Sequence, residues 1–349
     1  MRTTTGWQSL DPTTNALTRV TIERRDLRPD DIAVRIDYCG VCHSDLHRIH
    51  GMLGEKDLVP GHEATGVVVA VGPAVTGFAV GEPVAIGTIV DSCGECAMCS
   101  VGQENYCYNR PTTTYGGTDR IDGTPTKGAY SREYVLREKF ALHLPAGLDP
   151  AAASPLLCAG VSVWEPMRAA GVGPGSRMAV AGLGGLGHLA VKIAAALGAE
   201  VTVLSRSANK EQDAKALGAT QLLVTTDETQ VAAARGSFDF ILDTISADHE
   251  LTPLIGMLGL DGTLCVLGNP LLAGPKLWEL GAGRKKITSS GTGGLRQTVE
   301  MLEFCAVHGI TADVEILPSS EVETALDRLA AGNVHYRFVL DMSDLDASV

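Results

Sequence analysis

Short apolar runs and their spacing divide the chain into two textures. In residues 1–150, Ile32–Tyr38, Gly66–Val71 and Glu82–Ile86 read as strands punctuated by glycine. Gly, Thr and Pro fill much of the remainder, the texture of an irregular β domain. After Leu148-Asp149-Pro150 the texture changes. Asp149 suits a helix cap and Pro150 its first position, with an Ala-rich stretch behind them. From about residue 175 strands and helices alternate. Met178–Ala181 is an apolar strand, Leu186–Leu197 a helix ended by Gly198, and Glu200–Leu204 a strand. Asn209–Leu217 is a helix ended by Gly218, and Gln221–Thr225, Asp239–Thr244 and Thr263–Leu267 are further strands. Apolar strands separated by helices predict a parallel sheet covered on both faces. Beyond residue 286 the alternation loosens into helices at Thr298–Val307 and Glu321–Ala331 and a strand at Arg337–Met342. Periodicity leaves open whether this tail extends the parallel sheet or returns to the first domain.

The length of 349 residues suits two domains. Aromatics make up only 5% of the chain, so the core must be mostly aliphatic. The net charge is −13 with no Lys/Arg-rich stripe, which argues against a nucleic-acid partner. No apolar run approaches the roughly 20 residues of a membrane span, and Met1–Leu10 lacks the apolar core of a signal peptide. A cytoplasmic location is the expectation. There, nine cysteines favour metal binding or catalysis over disulfides.

Four of those cysteines, Cys93, Cys96, Cys99 and Cys107, fall within one short run. Four thiolates so spaced can enclose one ion, and zinc favours such a tetrahedral sulfur cage. A closed shell leaves no place for water, so this zinc would be structural. Three other segments carry metal-capable side chains amid glycine: Cys39-Gly-Val-Cys42-His43-Ser44-Asp45-Leu46-His47, Gly61-His62-Glu63 and Leu157-Cys158-Ala159-Gly160. One histidine and two cysteines from distant segments fit a catalytic zinc with an open position. Spacing does not choose between Cys39 and Cys42, and that CxxC also reads as a redox pair.

Gly182-Leu183-Gly184-Gly185-Leu186-Gly187 follows an apolar strand and opens a helix. In that context GxGxxG is a dinucleotide fingerprint. Gly182 permits the turn, Gly184 lets the backbone approach a pyrophosphate, and Gly187 lets helix and strand pack closely. The next strand ends in Leu204-Ser205-Arg206-Ser207, with Lys210 beyond. NAD sites place an acid there for the ribose 2′-hydroxyl. Two hydroxyls and two cations suit a 2′-phosphate instead, so the expected cofactor is NADP.

Together with Pro60-Gly61-His62-Glu63 and His335-Tyr336-Arg337-Phe338-Val339, these motifs resemble the zinc-containing medium-chain alcohol dehydrogenases along nearly the whole chain. The resemblance is strongest to their cinnamyl-alcohol-dehydrogenase-like, NADP-dependent branch. It implies an α/β chain: a GroES-like β-barrel catalytic domain of residues 1–150 and 289–349, and a Rossmann doubly wound parallel-sheet domain of 151–288. It implies that Cys42, rather than Cys39, joins His62 and Cys158 on the catalytic zinc, with Glu63 beside that ion as a transient ligand. It places the active site between the domains and suggests a homodimer. Ser44 and His47 stand at the positions of the family's proton relay, which passes through the cofactor ribose. The implied activity is reversible hydride transfer between NADP(H) and a primary alcohol or aldehyde. Where that branch carries bulky pocket residues, this chain has threonines in Arg110–Tyr115, and Gly291 and Thr292 in Ser289–Gly294. A wider, more polar pocket and broad aldehyde specificity are therefore expected, with Trp164 a candidate pocket or packing residue. The competing readings are an NAD-linked polyol dehydrogenase, which the missing acid after Leu204 opposes, and a non-catalytic zinc protein that has kept only the fold.

Overall fold

The computed structural model describes residues 1–51, 57–268, 274 and 276–346. The chain divides into two compact units, Met1–Cys158 with Gly293–Val349, and Ala159–Thr292.

The first unit is built on a seven-stranded sheet whose centre is the long strand Asp31–Val41. Ala64–Val71 pairs antiparallel along one side of it. On the other side, Glu133–Arg137 pairs with its first half and Arg337–Asp341 with its second. Ile32, Val34, Ile36, Phe338 and Leu340, on the central strand and its partner, are fully buried in one apolar core. The tail therefore does both things that periodicity allowed. Lys286–Ser289 adds a sixth strand to the parallel sheet, and Arg337–Asp341 returns to the first unit. The N-terminal strands Arg2–Gln8 and Thr18–Arg24 form a separate antiparallel pair. Their Thr- and Arg-rich sequence, with Trp7, Val20 and Ile22 as its large apolar residues, explains why no apolar run marks them.

The second unit is a six-stranded parallel sheet. Its order is Gln221–Val224, Glu200–Ser205, Arg177–Ala181, Phe238–Asp243, Leu258–Val266, Lys286–Ser289. Met178–Ala181, Val201 and Val203 are buried, as expected of strands covered on both faces. The chain reverses its direction of travel across the sheet between Arg177–Ala181 and Phe238–Asp243. In such doubly wound sheets that switch point opens the ligand crevice. Leu258–Val266 is longer than the strand expected at Thr263–Leu267, and the helix expected at Asn209–Leu217 opens with a 3₁₀ turn, Ala208–Lys210. Asp149 caps Pro150–Ala153 as its sequence suggests, accepting the Ala152 N–H at 2.9 Å.

Candidate metal centres and cofactor loop

Cys42 follows the central strand and stands at the N-cap of the helix His43–Ile49. His62 and Glu63 lead into Ala64–Val71, and Cys158 follows the 3₁₀ turn Ser154–Leu157. These elements bring one donor atom each from Cys42, His62, Glu63 and Cys158 within 4.8 Å of one another. The Cys42 and Cys158 sulfurs are 4.0 Å apart, and His62 Nε2 is 3.9 Å from the Glu63 carboxylate. Two soft sulfurs, an imidazole and a carboxylate in one buried pocket are the donor chemistry that zinc takes. Gly61 makes the delivery of His62 possible. Its φ of +98° suits glycine, and a Cβ there would lie 2.6 Å from Tyr130.

The pocket is organised by residues that the sequence reading did not single out. Asp45 is fully buried. Its Oδ1 accepts from His62 Nδ1 at 3.1 Å and from the Gly61 N–H at 3.2 Å. Its Oδ2 accepts from the Cys42 N–H at 3.0 Å and from the Tyr130 hydroxyl at 3.1 Å. A carboxylate only accepts, so Nδ1 carries a proton and Nε2 is the nitrogen that a metal would take. Arg337 is buried against Glu63 in an ion pair. Burial pushes the Glu63 carboxyl up to about 7 even with that guanidinium beside it. The Cys42 thiol is held well below its usual range by its contact with Cys158, then by His62 and the Arg337 charge, against the effect of burial. Asp45 could have been suspected as the one acid inside the Cys42–His47 motif; Tyr130 carried no local signal.

Cys39 lies outside this donor group. It is fully buried, its thiol faces the Gly40 carbonyl at 3.8 Å, and burial pushes its pKa well up. That is the opposite of what an exchange-active thiol needs. Ser44 and His47 are exposed, three residues apart on one helix.

Cys93, Cys96, Cys99 and Cys107 also gather within 4.8 Å. Cys96 and Cys99 are 3.5 Å apart and Cys93 and Cys99 3.8 Å. The N–H groups of Cys99 and Tyr108 draw Cys96 down to about 6, while burial raises Cys99 to about 11. Four sulfurs, with no His, Asp or Glu donor joining them among the described residues, match a closed zinc shell. Glu104, between these cysteines, accepts the Leu295 N–H at 3.1 Å and so ties the loop to the helix Leu295–His308.

In the second unit the glycine loop joins strand Arg177–Ala181 to helix Gly187–Ala196. Gly182 has φ +91°. A Cβ on Gly187 would meet the Gly182 carbonyl oxygen at 2.1 Å, whereas one on Gly184 would meet nothing within 4 Å. Space above Gly184, next to a helix N-terminus, is what a pyrophosphate requires. Leu183 is buried, and Gly185 and Leu186 are partly exposed. Arg206, Ser207 and Lys210 are exposed and Ser205 half-buried. Lys210 Nζ donates to the Leu183 carbonyl at 3.0 Å, tying this turn to the glycine loop. The Arg206 carbonyl is held by Thr226 at 3.0 Å. The first acid beyond the turn, Glu211, pairs with Lys215 instead.

The hydroxyl protons of the threonine segment are committed within the first unit. Thr112, Thr113 and Thr114 donate their hydroxyls to the carbonyls of Thr118, Tyr115 and Gly87. What the segment does present is the Tyr115 ring, 5.5 Å from the His62 ring. Trp164 is buried, with the Arg168 guanidinium 5.4 Å over its ring, which accords with packing.

Residues 28–146 match the family described as alcohol dehydrogenase GroES-like domain, and residues 185–306 the family described as zinc-binding dehydrogenase. The chain is 44% identical to the probable formaldehyde dehydrogenase AdhA of Bacillus subtilis, over 94% of each chain. It is 42% identical to NADP-dependent alcohol dehydrogenase C of Mycobacterium bovis, over 95% of this chain and 96% of that one. The solved structure of a cinnamyl alcohol dehydrogenase from Sorghum bicolor superposes with a TM-score of 0.93 at 39% identity, covering 100% of this chain and 99% of that one.

Proposed function

This chain belongs to the zinc-binding alcohol dehydrogenase family, and we propose that Cys42, His62 and Cys158 hold its catalytic zinc while Cys93, Cys96, Cys99 and Cys107 hold a structural one. The enzyme interconverts alcohols and aldehydes by hydride transfer with a nicotinamide cofactor, which we take to be NADP. One observation carries the site: donors from three distant segments converge within 4.8 Å, with His62 turned by Asp45 to offer Nε2.

When bound, the zinc supplies Lewis-acid polarisation of the substrate oxygen and the dinucleotide supplies or accepts the hydride. The remaining work falls to this chain's residues. Cys42 and Cys158 bring thiolate charge, and Glu63, anchored by Arg337, stands within reach as a further oxygen donor. Ser44 and His47, exposed on the same helix face, hold and release the proton; a histidine exchanges protons with solvent near neutral pH. The loop Gly182–Gly187 seats the pyrophosphate. Ser205, Arg206, Ser207 and Lys210, with no acid among them, favour a 2′-phosphate over a bare ribose. The name of the mycobacterial relative supports the same cofactor. The substrate is a primary alcohol or aldehyde taken with broad specificity, aromatic and medium-chain ones among them. The working form is a cytoplasmic homodimer; among the described residues no helix is long and apolar enough to cross a membrane. Parallel NADPH and NADH oxidation with benzaldehyde, cinnamaldehyde and the sugar precursor of a polyol tests this reading. Faster turnover with NADH would sink the cofactor assignment.

A further inference from the structure

We propose that Tyr130 is a positioning residue for the metal site: its hydroxyl, acting through Asp45, fixes His62 and the Cys42 backbone, and Arg24 holds the Tyr130 segment in place. The inference rests on the assignment of Cys42, His62 and Cys158 as metal donors.

Tyr130 is completely buried, and its hydroxyl donates to Asp45 Oδ2 at 3.1 Å. That same oxygen accepts the Cys42 N–H, and the other oxygen of Asp45 accepts His62 Nδ1. Without the phenol, a buried carboxylate loses one of its donors and can turn toward the remaining ones. Both metal arms it holds would then move with it. Removing an outer partner of a metal ligand characteristically weakens the site.

Tyr130 cannot drift, because its segment is pressed against the one that carries His62. The N–H groups of Gly128, Ala129 and Tyr130 donate to the carbonyls of Val59, Gly61 and Pro60 at 2.7, 3.0 and 2.9 Å. A Cβ on Gly128 would lie 2.1 Å from the Pro60 oxygen, so the two backbones touch. Arg24 grips the same segment. It is only 8% exposed, and its guanidinium donates to the carbonyls of Lys127, Gly128 and Glu133 and to the Ser131 hydroxyl, all neutral acceptors. The Tyr134 ring lies under the guanidinium, 4.5 Å away at its centroid. A buried arginine spent on backbone carbonyls is costly to maintain. Its use here is to fix where the chain runs.

The test follows zinc release from the intact, two-zinc enzyme into an excess of chelator with a chromogenic indicator, in parallel with the visible spectrum of the cobalt-substituted protein. Tyr130→Phe should release one zinc about ten-fold faster, the lower end of what loss of an outer partner costs, and leave the other at the wild-type rate. The cobalt band of the faster site should shift. In an Asp45→Asn background, adding Tyr130→Phe should change nothing further. Tyr134→Phe removes an equally buried hydroxyl, which donates to the Thr114 carbonyl at 2.7 Å, and should move neither zinc. Arg24→Lys keeps the charge but cannot span the four acceptors, and should speed release of the same zinc; it carries the test if Tyr130→Phe does not fold. Unchanged release of both zincs, equal acceleration of both, or an undiminished effect in the Asp45→Asn background would overturn the role of Tyr130. A wild-type content of one zinc per chain would instead overturn the metal assignment on which it rests.

Discussion

A Cβ placed on Gly187 would lie 2.1 Å from the carbonyl oxygen of Gly182, so the first turn of the helix touches the end of the strand before it. No side chain fits that contact. Gly187→Ala should therefore force strand and helix apart, at about 1–3 kcal/mol, the usual cost of overpacking. Thermal unfolding and cofactor titration should both register the change.

Gly184 separates those two effects. Its Cβ direction is open, so Gly184→Ala should leave the melting temperature of the cofactor-free protein unchanged. It should nevertheless weaken NADPH binding by about ten-fold or more, near 1.4 kcal/mol, because the methyl fills the space the pyrophosphate needs. Equal losses of stability in both variants would contradict this division of roles.

Arg206 is exposed at the end of strand Glu200–Ser205. A charge-assisted hydrogen bond to a phosphate contributes about 1.5–3 kcal/mol. Arg206→Ser should raise the Kd for NADPH by roughly 10- to 100-fold while leaving that for NADH nearly unmoved. Parallel titrations with both cofactors measure the ratio.

Asp119 gives the fold a sensitivity to acid. Burial acts against its charge, but Arg28 at 2.9 Å, then the Ile121 and Asp122 N–H groups and the Arg25 charge, hold its carboxyl down at about 2. The folded-state value lies below the unfolded one, about 3.9. The carboxylate's contribution is thus complete above roughly pH 4 and is lost as pH falls toward 2. Asp119→Asn should be less stable than wild type at pH 7, and the gap between their denaturation midpoints should close below pH 4.

How much of this was legible in the sequence depended on distance along the chain. The glycine loop and the four-cysteine run are local, so spacing alone exposed them. The parallel sheet was legible because strands such as Met178–Ala181 are buried on both faces and read as unbroken apolar runs. The pair Arg2–Gln8 and Thr18–Arg24 was not, because its few apolar residues, Trp7, Val20 and Ile22, stand among threonines and charged side chains and form no run. At the metal site the donors are scattered over three segments, and the spacing could not choose Cys42 over Cys39. The family resemblance points to Cys42, and the fold gives the physical reason, since Cys42 gathers with His62 while Cys39 faces a backbone carbonyl. The contacts that orient the site, Asp45 with Tyr130 and Glu63 with Arg337, join residues 85 and 274 positions apart. No local pattern encodes such a contact.

The most direct measurement is NADPH oxidation with benzaldehyde on protein of known zinc content, before and after stepwise chelation. Two zincs per chain are expected, with turnover that disappears on loss of the Cys42–His62–Cys158 ion while the protein stays folded, and recovery on adding zinc back. Turnover that survives removal of that ion, or folded two-zinc protein that reduces no aldehyde with either cofactor, would contradict that expectation.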